Sequence, residues 1–155
     1  MLRWIYRSAY VVALVYMATD ARADGPVASD VKASMQCDRA SEPGRVRCTV
    51  EARIEGGRTL AWADVEILSL PDFASALKGR IGPEDALSRD ATGTKWALGL
   101  VARRSGQGEA RARVRIVACE AARIGPVEAD AGPPPPPPRC APVTVLVKAQ
   151  LVVGS

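Results

Sequence analysis

Four cysteines, Cys37, Cys48, Cys119 and Cys140, are the residues of this sequence best equipped for chemistry. Spacings of 10, 70 and 20 intervening residues are unlike the short paired spacings of zinc sites. In an exported chain, thiols spaced this way form disulfides, and a disulfide either staples a fold or exchanges with a partner thiol. Two carboxylates, Asp64 and Glu66, stand at i and i+2 beside Trp62. They raise two more possibilities, an acid pair and a ligand platform. On a strand the three share one face, where solvated carboxylates and ordinary packing of a tryptophan also account for them. Histidine is absent. That excludes Ser-His-Asp and Cys-His nucleophile systems and removes the commonest metal ligand. No glycine-rich phosphate loop follows a strand and opens a helix, and no cofactor is expected.

The oxidising compartment that disulfides require is read from the N-terminus. Arg3 and Arg7 supply a positive n-region, Ala9 to Ala18 an apolar h-region, and Ala21-Arg22-Ala23 a small-x-small cleavage site. Residues 1–23 therefore read as a signal peptide removed before Asp24. The alternative, a retained anchor, needs ~20 apolar residues to span a bilayer, about twice what the h-region offers. The expected mature chain, residues 24–155, is a periplasmic or secreted domain with no membrane span. The signal segment holds Arg3, Arg7, Arg22 and Asp20 out of 21 basic and 17 acidic residues, so the remaining 132 residues carry 18 basic and 16 acidic, a net charge of +2. Those charges alternate along strands, and the only aromatics among them are Trp62, Phe73 and Trp96. A nucleic-acid interface would need a basic patch with interleaved aromatics, and none is expected.

Period-2 patterning supplies the elements that must position the cysteines. Val31, Ala33, Met35 and Cys37 alternate with polar residues. After the turn-rich stretch from Asp38 to Arg45, Val46, Cys48, Val50, Ala52 and Ile54 do the same. A hairpin that sets Cys37 opposite Cys48 also sets Met35 opposite Val50, Ala33 opposite Ala52 and Val31 opposite Ile54. Every opposed pair is then apolar, so a Cys37–Cys48 bridge reads as an inward-facing staple, not a reactive dithiol. Gly56-Gly57 marks a turn. Leu60 to Leu70 reads as a third strand, with Ala61, Ala63, Val65 and Ile67 on one face and Trp62, Asp64 and Glu66 on the other.

Between Pro71 and Gly93 the alternation breaks down. Asp72 to Lys78 and Pro83 to Leu87 suit short helical turns in a crossover loop. It returns from Thr94 to Arg103, where Trp96, Leu98, Leu100 and Ala102 share a side. Ser105-Gly106-Gln107-Gly108 then reads as a turn that pairs this strand as a hairpin with Ala110 to Cys119. In a last strand, Pro142 to Val153, Val143, Val145, Val147, Ala149, Leu151 and Val153 share one face, and Thr144, Lys148 and Gln150 lie on the other. The count and turn spacing indicate an all-β fold, an immunoglobulin-like β-sandwich with a short helical crossover loop.

Cys119 and Cys140 stand at the feet of a loop, residues 120–139, that contains the six prolines Pro133 to Pro138. Such a run forms a stiff polyproline rod, either a spacer or a docking site for an aromatic groove. Cys119 shares parity with Arg111, Arg113 and Arg115 and is expected to face outward, with Arg123 and Arg139 close in sequence to the two sulfurs. Positive neighbours and exposure would favour thiol exchange here over Cys37–Cys48. The strings Val114-Arg115-Ile116-Val117-Ala118-Cys119 and Cys140-Ala141-Pro142-Val143-Thr144-Val145 resemble the end of the N-terminal periplasmic domain of the thiol:disulfide interchange protein DsbD. The resemblance covers about the last quarter of the chain. It implies an immunoglobulin-like sandwich in which Cys119 and Cys140 exchange electrons with periplasmic partners. The family's two cysteines lie only a few residues apart, whereas a proline-rich insertion separates them here.

Two functional expectations result. The first is a non-enzymatic, exported β-sandwich stapled by Cys37–Cys48 and Cys119–Cys140, acting as an interaction or accessory module with a protein partner in the cell envelope. The second is a periplasmic thiol-disulfide oxidoreductase whose working pair is Cys119 and Cys140.

Overall fold

A computed structural model describes residues 30–121 and 137–154. The expected signal peptide, residues 1–23, and most of the proline-rich loop lie outside the described residues. β1 (Val31–Cys37) and β2 (Gly44–Ile54) form the expected antiparallel hairpin, with Val31 opposite Ile54, Ala33 opposite Ala52, Met35 opposite Val50 and Cys37 opposite Cys48. Successive turn residues Gly56 and Gly57 have φ of +74° and +72°. Only glycine adopts that conformation without penalty, and it swings the chain out of the first sheet.

β3 (Arg58–Ser69) opens the second sheet, and the chain then alternates between sheets: β4 (Ala74–Ala76), β5 (Arg80–Ile81), one 3-10 turn at Pro83–Asp85, β6 (Ser88–Arg89). β7 (Gly93–Ala102) returns to the first sheet, and β8 (Gly106–Glu120) and β9 (Cys140–Val153) complete the second. The first sheet runs β1-β2-β7-β4, with β6 also on β7. The second runs β5-β3-β8-β9. All ladders are antiparallel. With the two-residue strands β5 and β6 set aside and the other seven lettered in turn, this is the immunoglobulin-like arrangement of an A-B-E-D sheet against a C-F-G sheet. The core between the sheets holds Val46, Cys48, Val50, Trp96, Leu98, Leu100, Val65, Val114, Ile116 and Leu151. Among the described residues no helix is long and apolar enough to cross a membrane.

Four features differ from the expectations. The crossover is helical only in part: the turn expected at Pro83 to Leu87 is present as the 3-10 turn Pro83–Asp85, the only helical element among the described residues, whereas Asp72 to Lys78 contains β4. The free edges of β7 and β3 need backbone partners, and short extended pieces supply them where an isolated helical turn would leave both edges open. These fragments also blunt the edge against pairing with another chain.

The second difference is that β7 and β8 do not form a hairpin. β7 pairs with β2, β4 and β6, whereas β8 pairs with β3 and β9. The turn between them therefore crosses the sandwich. Gly106 and Gly108 belong to β8, where an added Cβ would meet the Phe73 ring at 2.7 Å and the Pro71 ring at 2.6 Å. These glycines serve close packing of the 71–73 corner, not a tight turn.

Third, the β3–β8 register shifts twice, between Leu60 and Trp62 and between Ile67 and Ser69, and the first shift is a bulge that affects the core. Leu60 pairs with Ala118 and Trp62 with Val117, leaving Ala61 unpaired and exposed. Leu60 and Ala63 both reach the core because the extra residue resets the alternation. Fourth, several strands begin earlier than expected, β8 at Gly106 in place of Ala110 and β9 at Cys140 in place of Pro142.

Candidate functional site

The outer face of the second sheet gathers most of the residues singled out from the sequence. Register across β3, β8 and β9 sets them in rows: Thr59, Cys119 and Cys140; then Trp62, Val117 and Pro142; then Asp64, Arg115 and Thr144; then Glu66, Arg113 and Leu146.

At the head of this face, Cys119 and Cys140 are bonded, with a Cα–Cα distance of 3.9 Å. The neighbouring pair has Glu120 N donating to Arg139 O at 2.9 Å. The cysteines therefore occupy the non-hydrogen-bonded position of the ladder, where opposed side chains approach most closely and a disulfide fits without moving the strands. Cys37 and Cys48 obey the same rule: Asp38 N donates to Arg47 O at 2.9 Å beside them, and their Cα atoms are also 3.9 Å apart. That bridge lies inward, with Cys48 wholly buried.

The parity of Cys119 is as expected, but its exposure is not. It stands on the outer face yet is only 8% exposed, while Cys140 is exposed. β8 is an interior strand, so Thr59 flanks Cys119 on one side and its own partner on the other. Thr59 Oγ1 donates to Cys119 O at 3.5 Å, and Arg58 Nη2 donates to Ala118 O at 3.3 Å. Arg58 is thus a basic neighbour that sequence proximity could not reveal. Of the two arginines expected near the sulfurs, Arg139 is exposed beside Cys140, and Arg123 lies outside the described residues.

Two rows further along, Asp64 corrects the expectation of a solvated carboxylate. It is 1% exposed although it faces outward. Arg115 donates to it through Nε at 2.9 Å and Nη2 at 2.5 Å, and Arg80 donates through Nε at 2.5 Å. This two-pronged guanidinium contact keeps the carboxylate satisfied out of water. The same carboxylate holds Arg115 above its ordinary pKa through the hydrogen bond, so the guanidinium stays charged. The Arg115 guanidinium also sits 5.7 Å from the centroid of the Trp62 ring, within cation–π range. Glu66 accepts from Arg113 at 2.6 Å and is only partly exposed. Asp64 and Glu66 are thus each committed to an arginine across the ladder, not to each other, and an acid pair does not form.

Sequence reasoning missed Arg80, which comes from the patternless middle of the chain. The Asp64–Arg115 and Glu66–Arg113 pairs did carry a signal: acids alternate on β3 opposite bases that alternate on β8, at directly opposed positions. Beside Trp62 and Asp64 an open cleft of about 390 Å³ is bounded by Lys78, Arg80, Gly82, Pro83, Glu84 and Asp85. Lys78 Nζ donates to Asp85 at 2.7 Å, which raises the lysine pKa and lowers that of the carboxylate. A second cleft of about 260 Å³ opens on the first sheet, among Glu51, Arg53, Asp90 and Lys95. Among the described residues no group of three histidine, cysteine or carboxylate side chains is placed to hold a metal ion.

No protein-family profile matches the chain, and no curated protein does. Among solved structures it is similar to the ASH / PapD-like domain of human CEP192 (PapD-like domain 7), at 10% sequence identity and a TM-score of 0.36, over 96% of this chain and 100% of that one.

Proposed function

We propose that this chain is an exported, non-enzymatic interaction module of the cell envelope, with both disulfides serving as staples and the outer face of the second sheet meeting a protein partner. The observation that carries this reading is that both bridges join directly opposed residues of neighbouring strands. Each bridge thus reinforces a register that the ladder already specifies, and Cys48 is sealed in the core. On the proposed working face, Trp62, Val117 and Pro142 form one apolar row, and Leu146 is 71% exposed two rows away. Apolar residues set among paired charges suit a protein contact.

A second reading is favoured by one observation, the exposure of Cys140 at the end of that face. In it, Cys119 and Cys140 are a thiol-disulfide exchange pair, as the resemblance to the DsbD domain implies. A partner dithiol would lose two electrons and two protons, and the bridge would take them up as two thiols. The test is the rate at which a reduced dithiol peptide reacts with the oxidised protein. The module reading expects Cys119–Cys140 to react no faster than the disulfide of an unfolded peptide. Faster reaction, confined to that bridge, overturns it in favour of the carrier.

A further inference from the structure

The cleft beside Trp62 has a built floor and a balanced charge, and both bear on what it can hold. Its loop wall is tied down at three points. Trp96 Nε1, on a fully buried side chain, donates to Gly82 O at 2.9 Å. Lys78 binds Asp85, and Arg80 binds Asp64. These contacts hold the wall in place before any ligand arrives, which lowers the ordering cost of binding.

The charges count out evenly. Lys78, Arg80 and Glu84 line the cleft with Asp64 and Asp85, and Arg115 stands behind Trp62 and Asp64, giving three cations against three anions. Every cation is already engaged by a carboxylate. An anionic ligand would have to displace a carboxylate from Arg80 or Lys78, whereas a cationic one could reach Glu84, which forms no ion pair among the described residues, in a cleft whose charges sum to zero. Neither meets a surplus of opposite charge.

What the cleft does offer is an aromatic wall and oriented hydrogen-bonding groups. Trp62 is 36% exposed, with Arg115 holding its ring, and Pro83 adds a second apolar surface. Around them stand charged groups of both signs, the donors of Lys78 and Arg80 and the acceptors of Glu84 and Asp85. A ligand matching this set is neutral, has an apolar face of C–H bonds to lie on the indole, and carries hydroxyls around its edge that both donate and accept. A pyranose ring has all three properties, and hydroxyl hydrogen bonds to ionised partners are stronger than those between neutral groups. We propose that this cleft is a binding site for a neutral saccharide, with Trp62 as its stacking platform. The proposal rests on the interaction-module reading and goes beyond it, giving the Trp62 end of the outer face a saccharide ligand in addition to the protein contact along the rest of that face.

The test is titration of the oxidised protein with neutral tetrasaccharides of glucose, mannose and N-acetylglucosamine, and with cationic glucosamine and anionic galacturonate tetrasaccharides for comparison. Binding is read by calorimetry and by tryptophan fluorescence. One aromatic wall in an open cleft sets the expected Kd at about 0.1 to 1 mM for at least one neutral sugar, with the charged sugars at least about tenfold weaker. Affinity should change little up to ~1 M salt, because no net charge is recognised. Trp62→Ala should weaken binding by about tenfold or more, and Trp62→Phe should keep part of it, while unchanged emission from buried Trp96 reports an intact fold. The proposal is overturned if no neutral sugar saturates, if a charged sugar binds best, or if Trp62→Ala binds as the parent does. Failure here with both bridges resistant to reduction removes the saccharide and leaves the module reading standing. An easily reduced Cys119–Cys140 overturns the module reading, whatever the sugars do.

Discussion

The two disulfides occupy the same kind of position in their ladders, but one is on the inner face of its sheet and the other on the outer face. Both sit at non-hydrogen-bonded pairs with Cα atoms 3.9 Å apart. Cys37–Cys48 closes a separation of 11 residues and points into the core, whereas Cys119–Cys140 closes 21 and lies on the outer face. Ladder position makes each bridge possible; the face decides what else it does. In the chain-entropy account the two are nearly equal, about 3 kcal/mol each, because loop length enters only as a logarithm. The inner bridge adds packing to that, and the outer one adds access for a partner.

The largest expected effect follows from the inner bridge. Replacing Cys37 and Cys48 by serine loses the cross-link and leaves hydroxyls in an apolar site, about 4 to 5 kcal/mol in all by denaturant unfolding. The same change at Cys119 and Cys140 should cost less, about 3 kcal/mol, since Cys140 is already in contact with water. A reversed order would break the comparison, showing that the outer bridge carries more of the fold than its position indicates.

Asp64→Ala sharpens the contrast from the neighbouring row. It removes a buried carboxylate and releases two arginines that are partly exposed and regain water. About 2 kcal/mol is expected, below the cost when the abandoned charge stays buried. The smallest effect is electrostatic and lies on the other sheet. Asp90 accepts from Thr92 N, Thr92 Oγ1 and Gly93 N, and these hydrogen bonds depress its pKa below the usual 3.8. A depressed carboxylate stabilises the fold above its unfolded pKa and loses that contribution as pH falls through the folded value. Melting temperatures of the parent and Asp90→Asn should therefore differ most above about pH 4 and converge in stronger acid.

Much of this fold was legible because several patterns coincided. The β1–β2 register was fixed by three apolar pairs and a disulfide pointing to the same alignment, and a shift of one residue would have broken them all. For β8 and β9 the sequence offered only the cysteines at the feet of their loop, and its glycines suggested β7 as the partner of β8. Where only one local signal existed, it misled. The glycines after β7 announced a turn, but a turn does not say whether its strands pair or part to opposite sheets. The bulge at Ala61 was invisible because one inserted residue leaves the composition of a strand unchanged. The burial of Asp64 depends on Arg80, 16 residues away in a stretch with no periodicity, so the carboxylate read as solvated. The position of Cys119 between Thr59 and Cys140 on an interior strand likewise comes from the sheet order, which the sequence did not reveal.

The measurement that bears most directly on the stapled-module account is the reduction potential of each bridge in the folded protein, found by equilibration in glutathione and dithiothreitol buffers and mass-mapping of the alkylated cysteines. The account predicts that both pairs stay oxidised at potentials down to about −300 mV and open only as the protein unfolds. If Cys119 and Cys140 titrate well above that value while Cys37 and Cys48 remain bonded, the outer bridge is an exchange centre and the account is contradicted.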